Sequence, residues 1–109
     1  MKRTFLGEFE QRVLLAILQS ADNAFALEVR RVLERTSGQP VSRGAFYTTL
    51  DRLEQQGLLR WTTVRGGESR DHLPQRRFRV TPAGLRELKA SRKTLLALWE
   101  GLEWMLGEN

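Results

Sequence analysis

Cysteine is absent from the 109-residue sequence, and histidine occurs only once, at His72. These absences exclude disulfide bonds and the cysteine- or histidine-rich ligand sets of zinc sites, so we expect neither a metal nor a cofactor. No apolar run approaches the roughly 20 residues that a transmembrane helix needs. The first residues also lack the apolar segment and cleavage site of a signal peptide. We therefore expect a cytoplasmic protein that does not bind a membrane.

Catalytic motifs are equally scarce. His72 lies in a polar, glycine-flanked loop, and the sequence places no catalytic arrangement with a serine or cysteine nucleophile near it. The pair Gly66-Gly67 is better explained by a tight turn than by a phosphate-binding loop, which needs a longer glycine motif. We therefore predict that the protein is not an enzyme.

The charge balance is basic, with a formal net charge of +5 and a sequence pI of about 10.7. Six arginines and two acidic residues lie in the segment 60–79, whereas the two signs nearly balance elsewhere. A basic surface favours nucleic acid or another anionic partner but does not specify a fold. The segment 60–79 is therefore the first candidate for a contact with such a partner.

The segment 42–57 has the pattern of an amphipathic helix. Ser42 is a good N-cap, because its hydroxyl can accept a hydrogen bond from a free backbone N–H. Gly57 suits the left-handed residue that follows many helices. Phe46, Leu50 and Leu53 recur at steps of four and three, which places them on one buried face.

The opposite face of this helix is polar. Thr48, Arg52 and Gln55 lie on it, with Tyr47 and Asp51 at its edges. Such side chains can reach base edges and phosphates in a DNA major groove. The alternative is an ordinary amphipathic helix with a solvated outer face, and the segment alone does not decide between the two.

The neighbouring segments supply the context for this helix. Apolar periodicity predicts one helix over 4–20 and another over 24–35. Residues 58–64 and 75–80 have the composition or the alternation of strands, and a loop between them would close a hairpin. Three helices followed by a hairpin predict a mainly α (α+β) winged helix-turn-helix with a two-stranded wing. A basic wing can lie along the DNA backbone, although a solvated hairpin remains the alternative.

A last, long helix is predicted over 82–106, since Thr81 can cap it and Pro82 suits its first position. Apolar residues recur along it at steps of three and four, interrupted by Arg92. The stripe is wider than one small domain can cover, so we predict a homodimer, with the alternative that the helix folds back on its own core. The interface residues would be Leu88, Leu95, Trp99, Leu102 and Leu106. We expect a DNA-binding domain at 1–81 and a dimerisation helix at 82–109.

Several short motifs resemble the PadR family of bacterial transcriptional regulators. The resemblance covers about residues 5–90, and its most specific part is the third-helix segment. The motifs are Leu6-Gly7-Glu8-Phe9-Glu10, the segment 13–18, the segment 41–54 with Gly57-Leu58, and the segment 76–84.

This resemblance implies a dimeric winged-helix repressor whose third helix lies in the major groove and whose wing touches the flanking backbone. Ser42 and Tyr47 would then bind phosphates, and Arg43 and Arg52 phosphates or guanines. The full set of residues expected to contact DNA is Ser42, Arg43, Tyr47, Thr48 and Arg52 on the helix, with Arg65, Arg70, Arg76 and Arg77 on the wing.

The sequence also departs from the family pattern. Phe25-Ala26 stands where the family usually has a tyrosine-glycine pair, which removes a hydroxyl that could bind a phosphate. The chain is similar to the short subgroup, in which small aromatic effectors can bind near the dimer interface. Trp99 and Trp104 are the candidate residues for such a ligand, because indole faces stack on planar molecules. The alternative is that both tryptophans only pack in the interface.

Two functional hypotheses follow. The first is a repressor that binds a near-palindromic operator in double-stranded DNA as a homodimer. The second is a winged-helix module that binds protein without specific DNA binding. The second would need no basic wing, so the charge of the segment 60–79 favours the first.

Overall fold

The computed structural model describes residues 6–65 and 73–107. Within these residues the chain forms helices and one antiparallel hairpin in the predicted order, which confirms the mainly α winged-helix fold. The helices are α1 (Glu8–Ser20), α2 (Ala26–Ser37), α3 (Arg43–Gln55) and α4 (Pro82–Trp99), and the strands are β1 (Leu59–Val64) and β2 (Gln75–Val80). Two short 3-10 turns lie at Ala21–Asn23 and Glu103–Leu106.

The core lies where α1, α2 and α3 meet the inner face of the hairpin. Phe46 of α3 is fully buried at its centre, among Leu14 of α1 and Leu33 of α2. Phe78 of β2 closes the core from the side of the hairpin, and Leu88 of α4 completes it. This packing fixes the orientation of α3, because its inner face cannot rotate without leaving the core.

The predicted cap of α3 is confirmed. The backbone N–H of Ala45 donates to the Oγ of Ser42 at 3.3 Å. Beyond the end of the helix Gly57 has a φ of +74°, the left-handed conformation that a side chain would disfavour. Helix α3 therefore begins and ends close to where the sequence predicts.

The hairpin has two different faces. Trp61 pairs with Phe78 and Leu59 with Val80 on the face toward the core, whereas Arg60 and its partner Arg79 are exposed on the other face. The N–H of Phe78 also donates to the carbonyl of Ala24 at 2.8 Å. This bond joins the connection before α2 to the free edge of β2 and ties the hairpin to the helices.

The start of α4 is held tightly against the connection that precedes the hairpin. The Thr81 hydroxyl accepts from the N–H of Gly84 at 3.0 Å and donates to the carbonyl of Gly57 at 2.7 Å. A Cβ built on Gly84 would lie only 2.2 Å from the Leu58 carbonyl oxygen. Only a residue without a side chain fits here.

The prediction of one continuous helix to residue 106 is wrong. Helix α4 ends at Trp99, and Gly101 follows with a φ of +84°. This left-handed residue turns the chain, so Leu102 and Leu106 do not continue the helical stripe that carries Leu95. The first helix is also shorter than predicted, since α1 begins at Glu8.

Candidate nucleic-acid interface

Helix α3 presents one face to solvent along its whole length. Its buried residues are Phe46, Thr49, Leu50 and Leu53. At 100° per residue, the direction opposite to this set is occupied by Gly44, Thr48, Asp51 and Gln55, all of them exposed. Of the predicted contacts, Thr48 therefore lies at the centre of the outer face. Asp51, which the sequence placed at an edge of this face, lies near its centre too, and the sequence interpretation missed Gly44.

The other predicted residues of α3 lie at its edges. Ser42 and Arg43 are exposed at the start of the helix. Tyr47 keeps about 39% of its surface exposed, while its ring packs edge-on against Phe46 with the centroids 5.2 Å apart. The contact with Phe46 thus orients the Tyr47 ring, and part of the side chain remains accessible.

Arg52 differs from the other candidates because it already has an acidic partner. Its Nη1 lies 3.4 Å from the Oε2 of Glu10 in α1. The side chain of Glu10 is only 9% exposed, whereas that of Arg52 is 52% exposed. In the sequence, Glu10 is singled out only as part of a family motif, and nothing in the pattern of α3 predicts this contact across 42 positions.

The turn between α2 and α3 is clamped at one residue. The N–H of Val41 donates to the Oε2 of Glu34 at 2.9 Å, and the Val41 carbonyl accepts from Arg30 at 3.4 Å. Both side chains belong to α2, one turn apart. They fix the point at which α3 leaves the turn, and hence the position of Ser42 and Arg43.

A groove of about 930 Å³ separates α3 from the hairpin. Tyr47 lines one side, Gln75 and Arg76 of β2 line the other, and the first turns of α2 with Phe25 and Arg31 form its floor. The open N-terminus of α2 carries a partial positive charge, which attracts anions. Two arginines and a helix N-terminus therefore converge on one groove at the edge of α3, together with Glu28, whose Oε1 lies 3.8 Å from the Nη1 of Arg31.

The two predicted contacts in β2, Arg76 and Arg77, lie on opposite faces of the hairpin. The guanidinium of Arg76 stacks over Trp61, 4.4 Å from the ring centroid, so an aromatic face holds it in place. Arg77 lies on the opposite face with Arg60 and Arg79, two further exposed arginines that were not among the predicted contacts. Like charges directly opposite in a hairpin repel each other, so the Arg60–Arg79 pair favours an anionic neighbour.

Of the two remaining wing candidates, the structure describes one. Arg65 is exposed directly after β1. Arg70 lies outside the described residues. Within 6–65 and 73–107, no group of histidine, aspartate and glutamate side chains is arranged to hold a metal ion.

The residues predicted for the dimer interface fall into two groups. Leu88 is buried in the core of its own chain. Leu95, Trp99, Leu102 and Leu106 are exposed in the single chain, as is Trp104 with 72% of its surface accessible. In the part of the chain that the structure describes, no helix has the length and apolarity needed to cross a membrane.

The three-helix core, the exposed third helix and the hairpin beside it define a winged helix-turn-helix protein. The model of the transcriptional regulator PadR-like family matches residues 14–90, and the chain belongs to this family. The predicted resemblance is thereby confirmed, and the family makes the protein a DNA-binding transcriptional regulator.

Solved structures support the same fold. A PadR-like transcriptional regulator from Bacillus cereus superposes with a TM-score of 0.72 at 19% identity, covering 93% of each chain. A PadR family transcriptional regulator from Eggerthella lenta is 26% identical, with a TM-score of 0.59 and coverage of 91% of this chain and 87% of that one. A PadR-like transcription factor from Bacteroides fragilis gives 0.66 at 19% identity, covering 86% and 87%. No curated protein matches the chain.

Proposed function

We propose that the protein is a cytoplasmic PadR-like repressor that binds a near-palindromic operator as a homodimer. The observation that carries this proposal is the outer face of α3, which is polar and exposed along its length while its inner face is locked into the core. A helix fixed in this way can enter a major groove in one orientation. Occupation of the promoter by the dimer would then exclude RNA polymerase.

The contacts can be assigned by position. Thr48 would contact base edges from the centre of the outer face, with Arg43 and Arg52 contacting guanines or phosphates from its edges. Ser42 and Tyr47 would bind phosphates. Arg76, Arg77, Arg65 and Arg70 would contact the flanking backbone, which adds affinity that salt weakens.

The groove beside Tyr47 suits a phosphate of the DNA backbone. Arg31 and Arg76 line it, and the N-terminus of α2 opens into it. The tyrosine hydroxyl that the family usually provides at the start of α2 is replaced by the apolar ring of Phe25. Tyr47 and Arg76 supply the polar contacts on the two sides of the groove in its place.

The homodimer is supported by exposed apolar surface. Leu95, Leu98 and Trp99 of α4 are all exposed, and contiguous apolar surface of this kind marks an interface. Leu15 and Leu18 of α1 are also exposed, and α1 packs against α4 within the chain. A second copy can cover both surfaces at once. Its covering of Trp99 and Trp104 would also form the site for a small aromatic effector.

Fluorescence anisotropy with DNA from upstream of the protein's own gene tests this proposal, with random DNA of equal length as the control. We expect the upstream fragment to bind at least about a thousandfold more tightly than random DNA, as specific regulators do. The logarithm of the binding constant should fall linearly with the logarithm of the salt concentration, by about 0.9 for each phosphate contact.

Variants assign the contacts within the same assay. Arg43→Gln should weaken binding and make the salt slope shallower by about one contact. Arg86→Gln removes the same charge from exposed α4 and should leave both quantities unchanged. Equal, weak binding to both DNA fragments would contradict the proposal and favour a protein-binding module.

A further inference from the structure

Among the described residues, Glu10 is the carboxylate that pairs with a predicted DNA contact of α3. It belongs to α1, yet it reaches α3 through Arg52. We propose that Glu10 is a positioning residue for operator recognition, because it holds Arg52 in the orientation in which Arg52 contacts DNA. This inference rests on the proposed function and adds a residue that does not itself contact DNA.

Glu10 is a rigid anchor because both of its oxygens are engaged. The Oε1 accepts from the backbone N–H of Gly7 at 2.8 Å, which closes the cap of α1. The Oε2 accepts from the Nη1 of Arg52 at 3.4 Å. A nearly buried carboxylate needs such partners, so the side chain cannot swing away without leaving its charge unpaired.

Arg52, in contrast, keeps donors free for another partner. A guanidinium has five N–H donors in a fixed plane, and half of the Arg52 side chain remains accessible. With Glu10 accepting at one edge of that plane, the remaining donors lose part of their orientational freedom. An arginine without this anchor would lose more conformational freedom on binding DNA.

Arg52 lies close to the residue at the centre of the outer face of α3. Arg52, Thr48 and Glu10 line one open cleft of about 700 Å³ between the start of α1 and α3. Thr48 is the predicted contact at the middle of the outer face. Arg52 therefore shares an open cleft with the residue that would contact the bases.

For Glu10→Gln, simple electrostatics predicts a change in the affinity for all DNA, whereas positioning predicts a change in the preference for the operator. Removing a negative charge near DNA should strengthen binding to every sequence. The glutamine oxygen can still accept from Gly7, since glutamine also serves in this cap. Its neutral amide no longer fixes Arg52, so positioning predicts that preference for the operator falls.

Glu8→Gln is the matched control, because Glu8 is exposed in the same turn and lines the same cleft. For both variants, affinity for random DNA should rise slightly and equally. The ratio of operator to random affinity should stay constant for Glu8→Gln and fall about two- to tenfold for Glu10→Gln, the lower part of the range of couplings between contacting residues. In an Arg52→Gln background, Glu10→Gln should leave the ratio unchanged.

Arg52→Lys provides a second measurement that does not alter the buried carboxylate. Lysine keeps the charge but lacks the planar set of donors. The salt slope should therefore remain, while the operator preference falls. Equal ratios for Glu8→Gln and Glu10→Gln, or an undiminished effect of Glu10→Gln without Arg52, would overturn the inference. A wild-type chain without operator preference would instead reject the proposed function itself.

Discussion

Large apolar side chains are mostly buried in the first part of the chain and exposed in its last part. From α1 to the first half of α4, most large apolar residues meet in one core, with Phe46 and Leu14 inaccessible to solvent, although a few such as Leu15 and Leu18 are exposed. From residue 95 onward, every large apolar side chain that the structure describes is exposed, and Leu98 keeps 67% of its surface accessible. Burial therefore stops midway along α4, although the apolar composition continues.

This difference suggests that the first region is responsible for folding and the second for assembly with another molecule. The first region buries most of its large apolar residues internally, which holds α3 in place for the proposed contact with DNA. The second region carries apolar surface that only another molecule can cover. Recognition of a DNA half-site would then depend on the first region, and the spacing between two half-sites on the second.

Truncation of Phe46 should have the largest effect and tests whether the first region is the core. Phe46→Ala removes a fully buried ring, and we expect a loss of about 3–5 kcal/mol in the free energy of unfolding. The melting temperature should fall by about 15 °C or more. Thermal unfolding followed by circular dichroism measures this change.

Leu98→Ala is the comparison for the second region. It truncates a side chain that is exposed in the single chain, so its cost should be small in dilute protein and rise with protein concentration if a second copy covers it. A loss as large as that of Phe46→Ala at every concentration would show that the C-terminal residues belong to the same core.

The double variant Leu95→Glu with Leu102→Glu should have the next largest effect. Charges placed in an apolar interface should weaken self-association at least about 100-fold, or roughly 3 kcal/mol. Sedimentation equilibrium measures the association, and Leu27→Glu places a charge on another exposed leucine as the control. We expect a folded monomer. A dimer as tight as the wild type would contradict the proposed interface, and an unfolded chain would show that the first region cannot fold alone.

Local signals predicted most of the fold. The cap at Ser42, the left-handed Gly57 and the Thr81-Pro82 start are encoded within a few residues, and each appears where expected. The end of α4 was missed because apolar spacing continues past Gly101, while the backbone of that glycine turns the chain. The spacing of apolar side chains does not predict such a turn of the backbone.

The candidate site was predictable only where it depends on one helix. The polar face of α3 follows from periodicity, which placed Thr48 correctly on its exposed side. The partner of Arg52 does not, since Glu10 approaches from another helix. The Arg76–Trp61 stack likewise depends on the register of the hairpin. Alternation alone does not fix this register, because a shift by two residues keeps the same side chains on the same face.

The smallest of the three effects concerns the junction between the two regions, where α4 begins. Gly84 lies in the first turn of α4, and a Cβ there would approach the Leu58 carbonyl oxygen to 2.2 Å and the Cγ1 of Val80 to 2.8 Å. Because a backbone carbonyl cannot rotate aside as a side chain can, Gly84→Ala must push α4 away from the hairpin. We expect a loss of about 2 kcal/mol.

Gly44→Ala is the matched control, because Gly44 occupies the first turn of α3 and the sequence does not distinguish the two glycines. Its Cβ would find only the Ser42 hydroxyl, at 3.9 Å. Alanine should therefore stabilise α3 by up to about 1 kcal/mol, its advantage over glycine in a helix. Chemical denaturation of both variants measures the two changes. Opposite signs would establish that α4 is seated on the hairpin by close backbone contact, whereas stabilisation by both would mean that the start of α4 can shift freely and that the two regions are only loosely joined.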